Sequence, residues 1–536
     1  MNSDVMTDVV VAGGGPVGLM LACELRLGGA RVVVLERRAD VDPTVKAGSV
    51  NTPTAEAFYR RGLLPAMADV QQRVLDRLQA FVRDRPGGST GGQPPRTPPK
   101  FAGHFGGIML NGDLLDTADP DFAHAGSAGD VGLVPQQDVE RLLGERAAQL
   151  GAEVLRGVEL TGFDAEDGGV EVRMAPVGGG ADRTVRAGWL VGCDGGRSTV
   201  RKLAGFAFPG TEPQITGHQA VVTLTGAETL KTGWNHTPTG TYVYGPAPGR
   251  VLTVEFDGPP ADREAPITAE ELQTSLRHVT GVAELEVTEV RSATRFTDNA
   301  RQAADYRAGR VLLAGDAAHV HSPFGGQGLN LGIGDAMNLG WKLAAVVRGR
   351  APEGLLDTYT AERHPIGAWV LDWSRAQIAL MRPEPAPRAL LGVVTELAGT
   401  VAGTTHFVKK ISGVGQRYDL PGSHPLVGRS APDFELTDGR RLADLMHDGR
   451  GLLLHLTDGA KLGGRADFTA LAEGYDDRVR VVTAARPAGA APAALLVRPD
   501  GCTAWAADAA DDHAEAAQGL AAALTRWFGA PASTGS

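Results

Sequence analysis

A glycine pattern close to the start of the chain constrains the fold more than any other feature. The apolar run Asp8-Val-Val-Val-Ala-Gly is typical of a buried parallel strand, and Gly13-x-Gly15-x-x-Gly18 follows it directly. The residues from Pro16 onward have helical apolar spacing, and a second apolar run ends at Glu36. Strand, helix and strand in this order predict one βαβ unit of an α/β fold.

The glycine spacing predicts that this unit binds a dinucleotide. The first glycine permits the tight turn, the second lets the backbone approach a pyrophosphate, and the third allows close helix–strand packing. The helix N-terminus offers unpaired N–H groups and a positive dipole end to the phosphates. An acid about 20 residues further on can bind the ribose hydroxyls but would repel a 2′-phosphate, so the site suits FAD or NAD better than NADP. The cofactor-binding residues predicted here are Gly13, Gly15, Pro16, Val17, Gly18, Glu36 and Arg37.

Length and charge narrow the class of protein. At 536 residues the chain is too long for one core, so we expect two or three domains. The 52 Lys and Arg residues against 63 Asp and Glu residues give a net charge of -11. This balance disfavours nucleic acid or an anionic membrane as partner, because both need clustered positive charge. The sequence has no apolar run of the roughly 18 residues that span a membrane, so we expect a soluble, cytoplasmic protein.

Cysteine and histidine usage gives no indication of a metal site. Cys23, Cys193 and Cys502 are far apart and form no Cys-x-x-Cys pair, so neither a disulfide framework nor a zinc site is expected. His319 and His321 lie two residues apart on a polar stretch without a third ligand nearby. We interpret them as local hydrogen-bonding groups and predict no bound metal.

Two later motifs separate FAD from NAD. Leu190-Val-Gly-Cys-Asp194-Gly195-Gly-Arg197 places an acid and glycines after a strand. Arg310-Val-Leu-Leu-Ala-Gly315-Asp316 repeats this arrangement and continues into Pro323-x-Gly325-Gly326-Gln327-Gly328-Leu329-Asn330. With three motifs in this order, the sequence resembles the class A flavoprotein monooxygenases, the family of para-hydroxybenzoate hydroxylase and the aromatic polyketide hydroxylases.

The resemblance implies an α/β architecture with a Rossmann-type FAD-binding domain, an inserted antiparallel-sheet substrate domain and a C-terminal thioredoxin-like domain. The sequence pattern favours helices over 334–348 and 355–381, and strands and turns at 431–439, 451–456 and 494–501. The C-terminal region lacks Cys-x-x-Cys, so we expect it to serve packing or dimer contact, in a monomer or homodimer. The predicted domains are 1–175 (FAD-binding, with a Pro/Gly-rich excursion at about 84–100), 176–290 (substrate sheet), 291–400 (FAD-binding) and 415–530 (thioredoxin-like).

The family pattern also implies roles for individual residues. Asp194, Gly195 and Arg197 would contribute to both FAD and NAD(P)H binding, and Asp316 would bind the ribitol of FAD. Gln136, in Val134-Pro-Gln136, would reach the flavin. Lys46 stands where family members usually carry Arg, and it keeps the charge but loses the bidentate fork. The loop beside the isoalloxazine ring, whose N–H groups would approach the flavin N1–C2 carbonyl edge, includes Pro323, Gly326, Gly328, Leu329 and Asn330.

The inserted sheet supplies the substrate-binding candidates Trp234, His236, Tyr242 and Tyr244. Tyr242 and Tyr244 share one face of a strand, which lines either a substrate cavity or the core. Further along, Tyr359-x-x-Glu362-Arg363 predicts an ion pair that fixes the helix after the flavin loop.

The implied function is hydroxylation of a polycyclic aromatic polyketide, as in antibiotic biosynthesis, with O2 and NADPH or NADH through a flavin C4a-hydroperoxide. The flavin carries the difficult step, so no side chain is assigned as catalytic. Two alternatives remain open at this point. One is Baeyer–Villiger insertion or oxidative rearrangement of a polyketide ketone, and the other is a non-catalytic flavin-binding scaffold.

Overall fold

A computed structural model describes residues 5–44, 46–83, 101–122, 126–245, 247–263, 265–457, 468–486 and 492–532. The Pro/Gly-rich excursion predicted at about 84–100 lies outside the described residues.

The described elements alternate strands and helices in the first half and end in a second, smaller α/β unit. In chain order the strands are β1 (Val5–Ala12), β2 (Val32–Glu36), β3 (Phe101–Phe105), β4 (Ile108–Asn111), β5 (Glu153–Arg156), β6 (Val158–Glu166), β7 (Gly169–Pro176), β8 (Arg183–Gly192), β9 (Gly210–Thr211), β10 (Thr216–Thr225), β11 (Gly233–Thr237), β12 (Gly240–Tyr244), β13 (Arg250–Glu255), β14 (Glu286–Phe296), β15 (Ala300–Gln302), β16 (Arg307–Ala308), β17 (Val311–Leu313), β18 (His319–Val320), β19 (Gly451–Thr457), β20 (Val479–Ala485), β21 (Ala494–Val497) and β22 (Thr503–Ala507). The α-helices are α1 (Pro16–Leu27), α2 (Thr52–Tyr59), α3 (Leu64–Arg83), α4 (Gln136–Gln149), α5 (Thr199–Leu203), α6 (Ala269–Thr280), α7 (Gln327–Val347), α8 (Asp357–Met381), α9 (Pro385–Ala398), α10 (Val401–Ser412) and α11 (His513–Phe528).

The largest sheet contains the predicted βαβ unit. Its strands run in the order β16-β17-β8-β1-β2-β5, while β7 pairs with β8 and β6 with β7. Strands β17, β8, β1, β2 and β5 are parallel, so their carboxyl ends lie along one edge. Every residue of β2 is buried, which is why such strands have continuous apolar sequences.

Helices α1 and α7 pack closely because small residues lie where they meet. A Cβ built on Gly340 would lie 2.3 Å from the Cβ of Glu24, and one built on Gly28 would lie 2.3 Å from the Cβ of Ala344. Both distances are far below van der Waals contact, so a larger residue at either glycine would force the helices apart. This close pairing fixes the position of α7 relative to α1.

A five-stranded antiparallel sheet, which we call the roof sheet, has the order β11-β12-β13-β10-β14. One face packs on α6 through residues such as Tyr242 and Leu272. The other face contacts Phe324 and Ile378 of the large α/β unit through Trp234 and its neighbours. The roof sheet therefore covers the start of α7.

The C-terminal unit is a four-stranded sheet in the order β20-β19-β21-β22, in which β19 and β20 are parallel and the other pairs antiparallel. Helix α11 packs on it through Leu520, Leu524 and Trp527. Trp341 and Leu355 belong to the same apolar cluster. The core of the C-terminal unit is thus continuous with α7 of the large unit.

The fold class predicted from the sequence is confirmed, with differences in individual elements. Helix α7 begins at Gln327 rather than near 334, because residues expected in a loop form its first turn. Helix α9 begins at Pro385, where the fixed φ of proline suits the first helical position; the sequence analysis predicted neither α9 nor α6 and α10. The strand expected at 431–439 is wrong: in the described residues this stretch forms an isolated bridge only, between Glu435 and Arg441. Across the described ranges, no helix combines the length and apolarity needed to cross a bilayer.

A buried charge network joins the C-terminal unit to α7 and α8. Arg498, which is 0 % exposed, donates to Glu362 at 2.7 Å and also pairs with Asp500. Lys342 lies 3.1 Å from Glu362 and donates to Asn338 at 2.7 Å. Burial lowers the pKa of Lys342 to about 8, partly offset by Glu362. Burial also disfavours the Glu362 carboxylate, but Arg498 and Lys342 outweigh it and lower its pKa to about 2.

We expect Glu362→Gln to lower the free energy of unfolding by about 3 kcal/mol, because removing one partner of a buried ion pair leaves uncompensated charge. Chemical denaturation of the holoprotein measures this change. The matched control is Asp372→Asn on the same helix, whose side chain is 77 % exposed in its pair with Arg375; it should leave the midpoint of unfolding unchanged.

The pH dependence gives a second check on the same pair. Glu362 has a folded-state pKa of about 2, below the roughly 4.3 of an unfolded glutamate. Its contribution is therefore fully present above about pH 4.3 and is lost as pH falls towards 2. The stability difference between wild type and Glu362→Gln should narrow over that window. A difference that stays constant with pH would contradict this assignment.

Candidate active site

The three sequence motifs meet at one edge of the large sheet. Gly13 follows β1, Asp194 follows β8 and Gly315 follows β17, and these three strands are neighbours. The ladder extends beyond the strands, since the Cys193 N–H donates to the Ala12 carbonyl at 2.7 Å and the Ala314 N–H to the Gly192 carbonyl at 2.9 Å. Ligands of open α/β sheets bind at the carboxyl ends of the strands, so this edge is the candidate site.

The start of α1 has the geometry of an anion site. Its N-cap is Gly15, and among the described residues no side chain caps this helix. A Cβ built on Gly15 would have no described atom within 4 Å, whereas one on Gly18 would lie 1.9 Å from the Gly13 carbonyl oxygen. Gly18 is thus required for packing, and Gly15 borders open space in front of unpaired N–H groups.

The residues after β2 are arranged around the predicted ribose-binding acid. Glu36 accepts hydrogen bonds from the Gly14 N–H at 2.7 Å and the Arg38 N–H at 2.8 Å. Arg37 is exposed. Glu36 is 9 % exposed, so its carboxylate lies at the edge of the pocket formed by the glycine turn. Pro16 and Val17 lie in the first turn of α1, and Val17 packs near Gly315.

The Asp194 carboxylate accepts hydrogen bonds from residues that follow it closely in the sequence. It accepts from the Ser198 hydroxyl at 2.5 Å and from the Thr199 and Val200 N–H groups at 2.7 and 3.1 Å, which holds the turn before α5. Gly195, which has φ +80°, and Arg197 lie within that turn. Arg201 then donates to the carbonyls of Gly196 and Ala317. Arg201 thereby connects the second motif, which contains Gly196, to the third motif, which contains Ala317.

A buried carboxylate, Asp335 on α7, organises the third motif. It accepts from the Gly315 N–H at 3.0 Å, contacts His319 Nε2 at 2.7 Å and accepts from Arg363 Nε at 2.8 Å. Burial opposes its ionisation, but His319 and Arg363 outweigh burial and hold the pKa of Asp335 below its usual value. Asp316 lies between two residues fixed by this one carboxylate, so its backbone position is set from both sides.

The His319 contact agrees with the predicted local hydrogen-bonding role of the histidine pair. His321 Nδ1 donates to the Ser322 carbonyl oxygen at 2.7 Å. Arg363 forms the predicted ion pair with the helix after the glycine-rich stretch. Within the described part of the chain, no group of three or more His, Cys, Asp or Glu side chains is placed to hold a metal.

The start of α7 is a second helix end that lacks a side-chain cap in the described residues; its N-cap, Gly326, has φ +62°. Asn330 donates to the Gly326 carbonyl at 2.8 Å and accepts from the Asn51 N–H at 2.8 Å. Pro323 precedes this turn, while Gly328 and Leu329 lie in it. Its free N–H groups face outward from the helix end, as at the start of α1.

The segment before α2 lies beside this helix end. The Gln136 N–H donates to the Ala47 carbonyl at 2.9 Å, which places the start of α4 next to the segment. Lys46 pairs with Asp42 at 2.8 Å. Burial opposes the Asp42 carboxylate, but Lys46 and the Thr44 hydrogen bonds lower its pKa to about 2. Lys46 is thus engaged by a neighbouring carboxylate, which the sequence comparison with the family arginine did not indicate.

A packed aromatic and aliphatic cluster lies between the roof sheet and residues 323–326, which we call the 323–326 loop; we call the region that this cluster occupies the chamber. The ring centroid of Phe324 is 5.5 Å from that of Phe296 and 6.0 Å from that of Trp234. Ile378 and Met381 of α8 belong to the same cluster. The chamber was not recognised in the sequence because its residues come from four separate segments, and Phe324 was not singled out within its motif.

The two tyrosines predicted as substrate candidates lie on the face of the roof sheet opposite to Trp234. In the paired strands, Trp234 lies opposite Val243, and Asn235 opposite Tyr242. Alternate residues face opposite sides, so Tyr242 and Tyr244 point away from Trp234. Both belong to the cluster that packs on α6. This position corresponds to the core alternative, whereas Trp234 lies beside Phe324 of the 323–326 loop and His236 beside Gly107 of the β3–β4 turn.

The β3–β4 hairpin forms one wall of the chamber and was not predicted. His104 on β3 stacks on Trp234 with ring centroids 4.5 Å apart. Burial lowers the pKa of His104 to about 4. Burial, with a smaller effect of Arg388, also lowers the pKa of His236 to about 4. Both imidazoles are therefore neutral at physiological pH and present hydrogen-bonding groups in an apolar setting.

Comparison with known proteins identifies the family. Residues 6–374 match the model of the FAD binding domain, and residues 424–531 match that of the aromatic-ring hydroxylase C-terminal region. The chain is 41% identical to a rifampicin monooxygenase of Streptomyces venezuelae over 98% of this chain and 99% of that protein. It is 40% identical to an anhydrotetracycline monooxygenase of Streptomyces rimosus over 98% of this chain and 99% of that protein.

A solved structure supports the same relationship. The OxyS anhydrotetracycline hydroxylase from Streptomyces rimosus superposes with a TM-score of 0.81 at 38% identity, covering 98% of this chain and 100% of that chain. Sequence, fold and strand-end geometry agree with the resemblance drawn from the motifs. The chain belongs to the class A FAD-dependent monooxygenases with an aromatic-ring hydroxylase C-terminal region, and it is an FAD-dependent monooxygenase that uses NAD(P)H.

Proposed function

We propose that this monooxygenase hydroxylates a planar, polycyclic aromatic compound of the polyketide type with O2. The observation that carries the proposal is the aromatic cluster in which Trp234 and Phe296 of the roof sheet contact Phe324 of the 323–326 loop. Aromatic side chains of this kind favour contact with a flat, apolar ligand. The names of two relatives point to the same class, since anhydrotetracycline and rifampicin are large polyketide-derived molecules.

The residues present fit FAD. The uncapped start of α1, with open space beside Gly15, suits the pyrophosphate. Glu36 is positioned for the ribose hydroxyls and Asp316 for the ribitol hydroxyls. The uncapped start of α7 offers the N–H groups of Gly328 and Leu329 to a developing negative charge on the flavin ring. Gln136 and Lys46 lie beside the same helix end, and Asp194, Gly195 and Arg197 complete the strand edge.

When bound, FAD supplies the redox chemistry that activates O2. The chain's own residues bind, orient and exclude water. The roof sheet covers the 323–326 loop with apolar side chains, and neutral His104, whose buried Nδ1 has no hydrogen-bond partner among the described residues, can hydrogen-bond an aromatic hydroxyl or carbonyl. The names of the similar solved proteins, an anhydrotetracycline hydroxylase and an aromatic hydroxylase, favour hydroxylation of an aromatic ring. Baeyer–Villiger insertion next to a ketone is the competing outcome that product structure distinguishes.

The purified FAD-loaded protein should oxidise NADPH or NADH in the presence of anhydrotetracycline or rifampicin and transfer oxygen to the compound. Under oxygen-18 gas, mass spectrometry should find one labelled oxygen atom in the product, and NMR should place it on a ring carbon. A labelled oxygen within a new ester or lactone would show that the reaction is Baeyer–Villiger insertion and not hydroxylation. NAD(P)H oxidation without labelled product across a panel of polycyclic aromatics would refute the proposed substrate class.

The pyrophosphate assignment predicts a specific effect of Gly15→Ala. Open space around Gly15 means that the protein tolerates the methyl group, but the methyl would occupy the position of the phosphates. We expect the apoprotein to keep its melting temperature while the Kd for FAD rises at least about tenfold, a loss of about 1.4 kcal/mol. Fluorescence titration of FAD measures the Kd.

The control is Gly168→Ala, at a turn where an added Cβ also meets no described atom within 4 Å but which lies far from the strand edge. It should change neither melting temperature nor FAD affinity. Unchanged FAD binding by Gly15→Ala would place the pyrophosphate elsewhere.

Trp234 and Tyr244 lie on opposite faces of the roof sheet, which predicts that replacing them has different effects on KM. Trp234→Ala removes a wall of the chamber, so the KM for the aromatic compound should rise about tenfold or more, the effect of losing a large buried contact. Tyr244→Ala, on the neighbouring strand but the opposite face, should lower thermal stability and leave KM within about twofold. Equal effects of both variants on KM would show that the substrate does not lie on this face.

A further inference from the structure

The side chain of Gln377 on α8 connects two walls of the chamber. It is 0 % exposed. Its Oε1 accepts from the Gly106 N–H in the β3–β4 hairpin at 3.1 Å, and its Nε2 donates to the Phe324 carbonyl in the 323–326 loop at 3.4 Å. One amide therefore satisfies a backbone donor on one wall and a backbone acceptor on the other.

The hairpin side of this connection continues to the roof sheet. Gly106 and Gly107 form the turn with φ of +56° and +87°. A Cβ on Gly107 would lie 2.8 Å from His236 Nε2, and the His236 ring also hydrogen-bonds the backbone of Gly106. The other ring nitrogen, Nδ1, lies 3.0 Å from the Thr241 hydroxyl within the roof sheet. Gly106 is thus held between His236 and Gln377.

The loop side is equally constrained. Gly325 has φ +83°, and a Cβ there would lie 2.8 Å from Gln377 Nε2. The loop passes so close to this amide that it accommodates no side chain. A second bond from α8 holds the residue before the loop, since the hydroxyls of Ser322 and Ser374 lie 2.7 Å apart. The position of the loop is therefore defined by α8, and Gln377 is the member of α8 that also contacts the hairpin.

We propose that Gln377 is a positioning residue that keeps the 323–326 loop in register with the hairpin and the roof sheet, and hence keeps the flavin side of the chamber aligned with the bound aromatic compound. The inference rests on the proposed function for the location of that compound. Loss of Gln377 would allow the two walls to shift relative to each other. A shift of about 1 Å is enough to reduce reaction rates strongly.

The first test uses Gln377→Met, which keeps the length of the side chain but removes both hydrogen bonds. The matched control is Gln273→Met on α6, whose Oε1 accepts from the Val287 N–H at 3.0 Å on the far face of the roof sheet. With anhydrotetracycline, we expect the ratio of oxygenated product to NAD(P)H consumed to fall about fivefold in Gln377→Met and to stay within about 1.5-fold of wild type in the control. The missing reducing equivalents should be recovered as hydrogen peroxide. An unchanged ratio in folded, FAD-loaded Gln377→Met overturns the proposal.

The second test needs no turnover, so it separates this proposal from the proposed function. Gly107→Ala pushes the hairpin away from His236. In the wild-type background, we expect Gly107→Ala to raise the Kd for FAD about fivefold. In a protein that already carries Gln377→Met, the same substitution should raise the Kd less than about 1.5-fold, because the connection between the hairpin and the loop is already lost. Equal weakening in both backgrounds, or none in the wild-type background, overturns the proposal. If wild type oxygenates none of the compounds but the cycle is non-additive, the proposed function fails and the positioning role stands.

A third variant covers the case in which Gln377→Met does not fold. Gln377→Glu keeps the size and the acceptor toward Gly106 but presents a carboxyl oxygen to the Phe324 carbonyl. The same fall in product per NAD(P)H is expected from this variant, and wild-type coupling would overturn the proposal.

Discussion

The carboxylate of Asp335 is the centre on which the arrangement of the active site depends. It is completely buried, and burying a lone charge costs several kcal/mol. Arg363 provides the compensating charge, and Arg363, His319 and the Gly315 N–H provide hydrogen bonds. Because the partners come from the segment after β17 and from α8, while Asp335 itself belongs to α7, the cost of burial is recovered only when all three are in place.

The small residues around this centre follow from the same requirement. A Cβ on Gly332 would lie 2.5 Å from Val17 Cγ2, and one on Gly315 would lie 3.0 Å from the same atom. Val17 is in the first turn of α1, directly after the turn that faces the predicted pyrophosphate. The uncapped starts of α1 and α7 are therefore held at a fixed separation by packing, before any ligand is bound. A long ligand with an anion at one end and an acceptor edge at the other fits such a preorganised pair.

Contiguous motifs could be predicted from the sequence, and contacts between distant segments could not. The glycine turn at 13–18 and the acid at Asp316 carry their geometry in local spacing, so their positions at the strand ends followed directly. The face of Tyr242 did not, because alternation shows which residues share a side but not which side meets the core. The contact between Gly106 and Gln377 joins residues 271 positions apart. The sequence around Gly106 indicates this contact only through a pair of glycines in a short hairpin, and that pattern is common to many turns.

Two adjacent residues of α8 connect the active site to the C-terminal unit. Arg363 pairs with Asp335 beneath the active-site edge, while Glu362 pairs with Arg498 of the C-terminal unit and with Lys342 of α7. All of these side chains are almost completely buried. If the C-terminal unit were removed, Glu362 would lose Arg498, and the apolar surface around Trp341 would be exposed beside it. Removing Arg498 would also leave Lys342 as the remaining cation against Glu362. The C-terminal unit is therefore part of the electrostatic balance that fixes α7 and α8, and through them the start of α7, rather than an appendage that the active site could lose without effect.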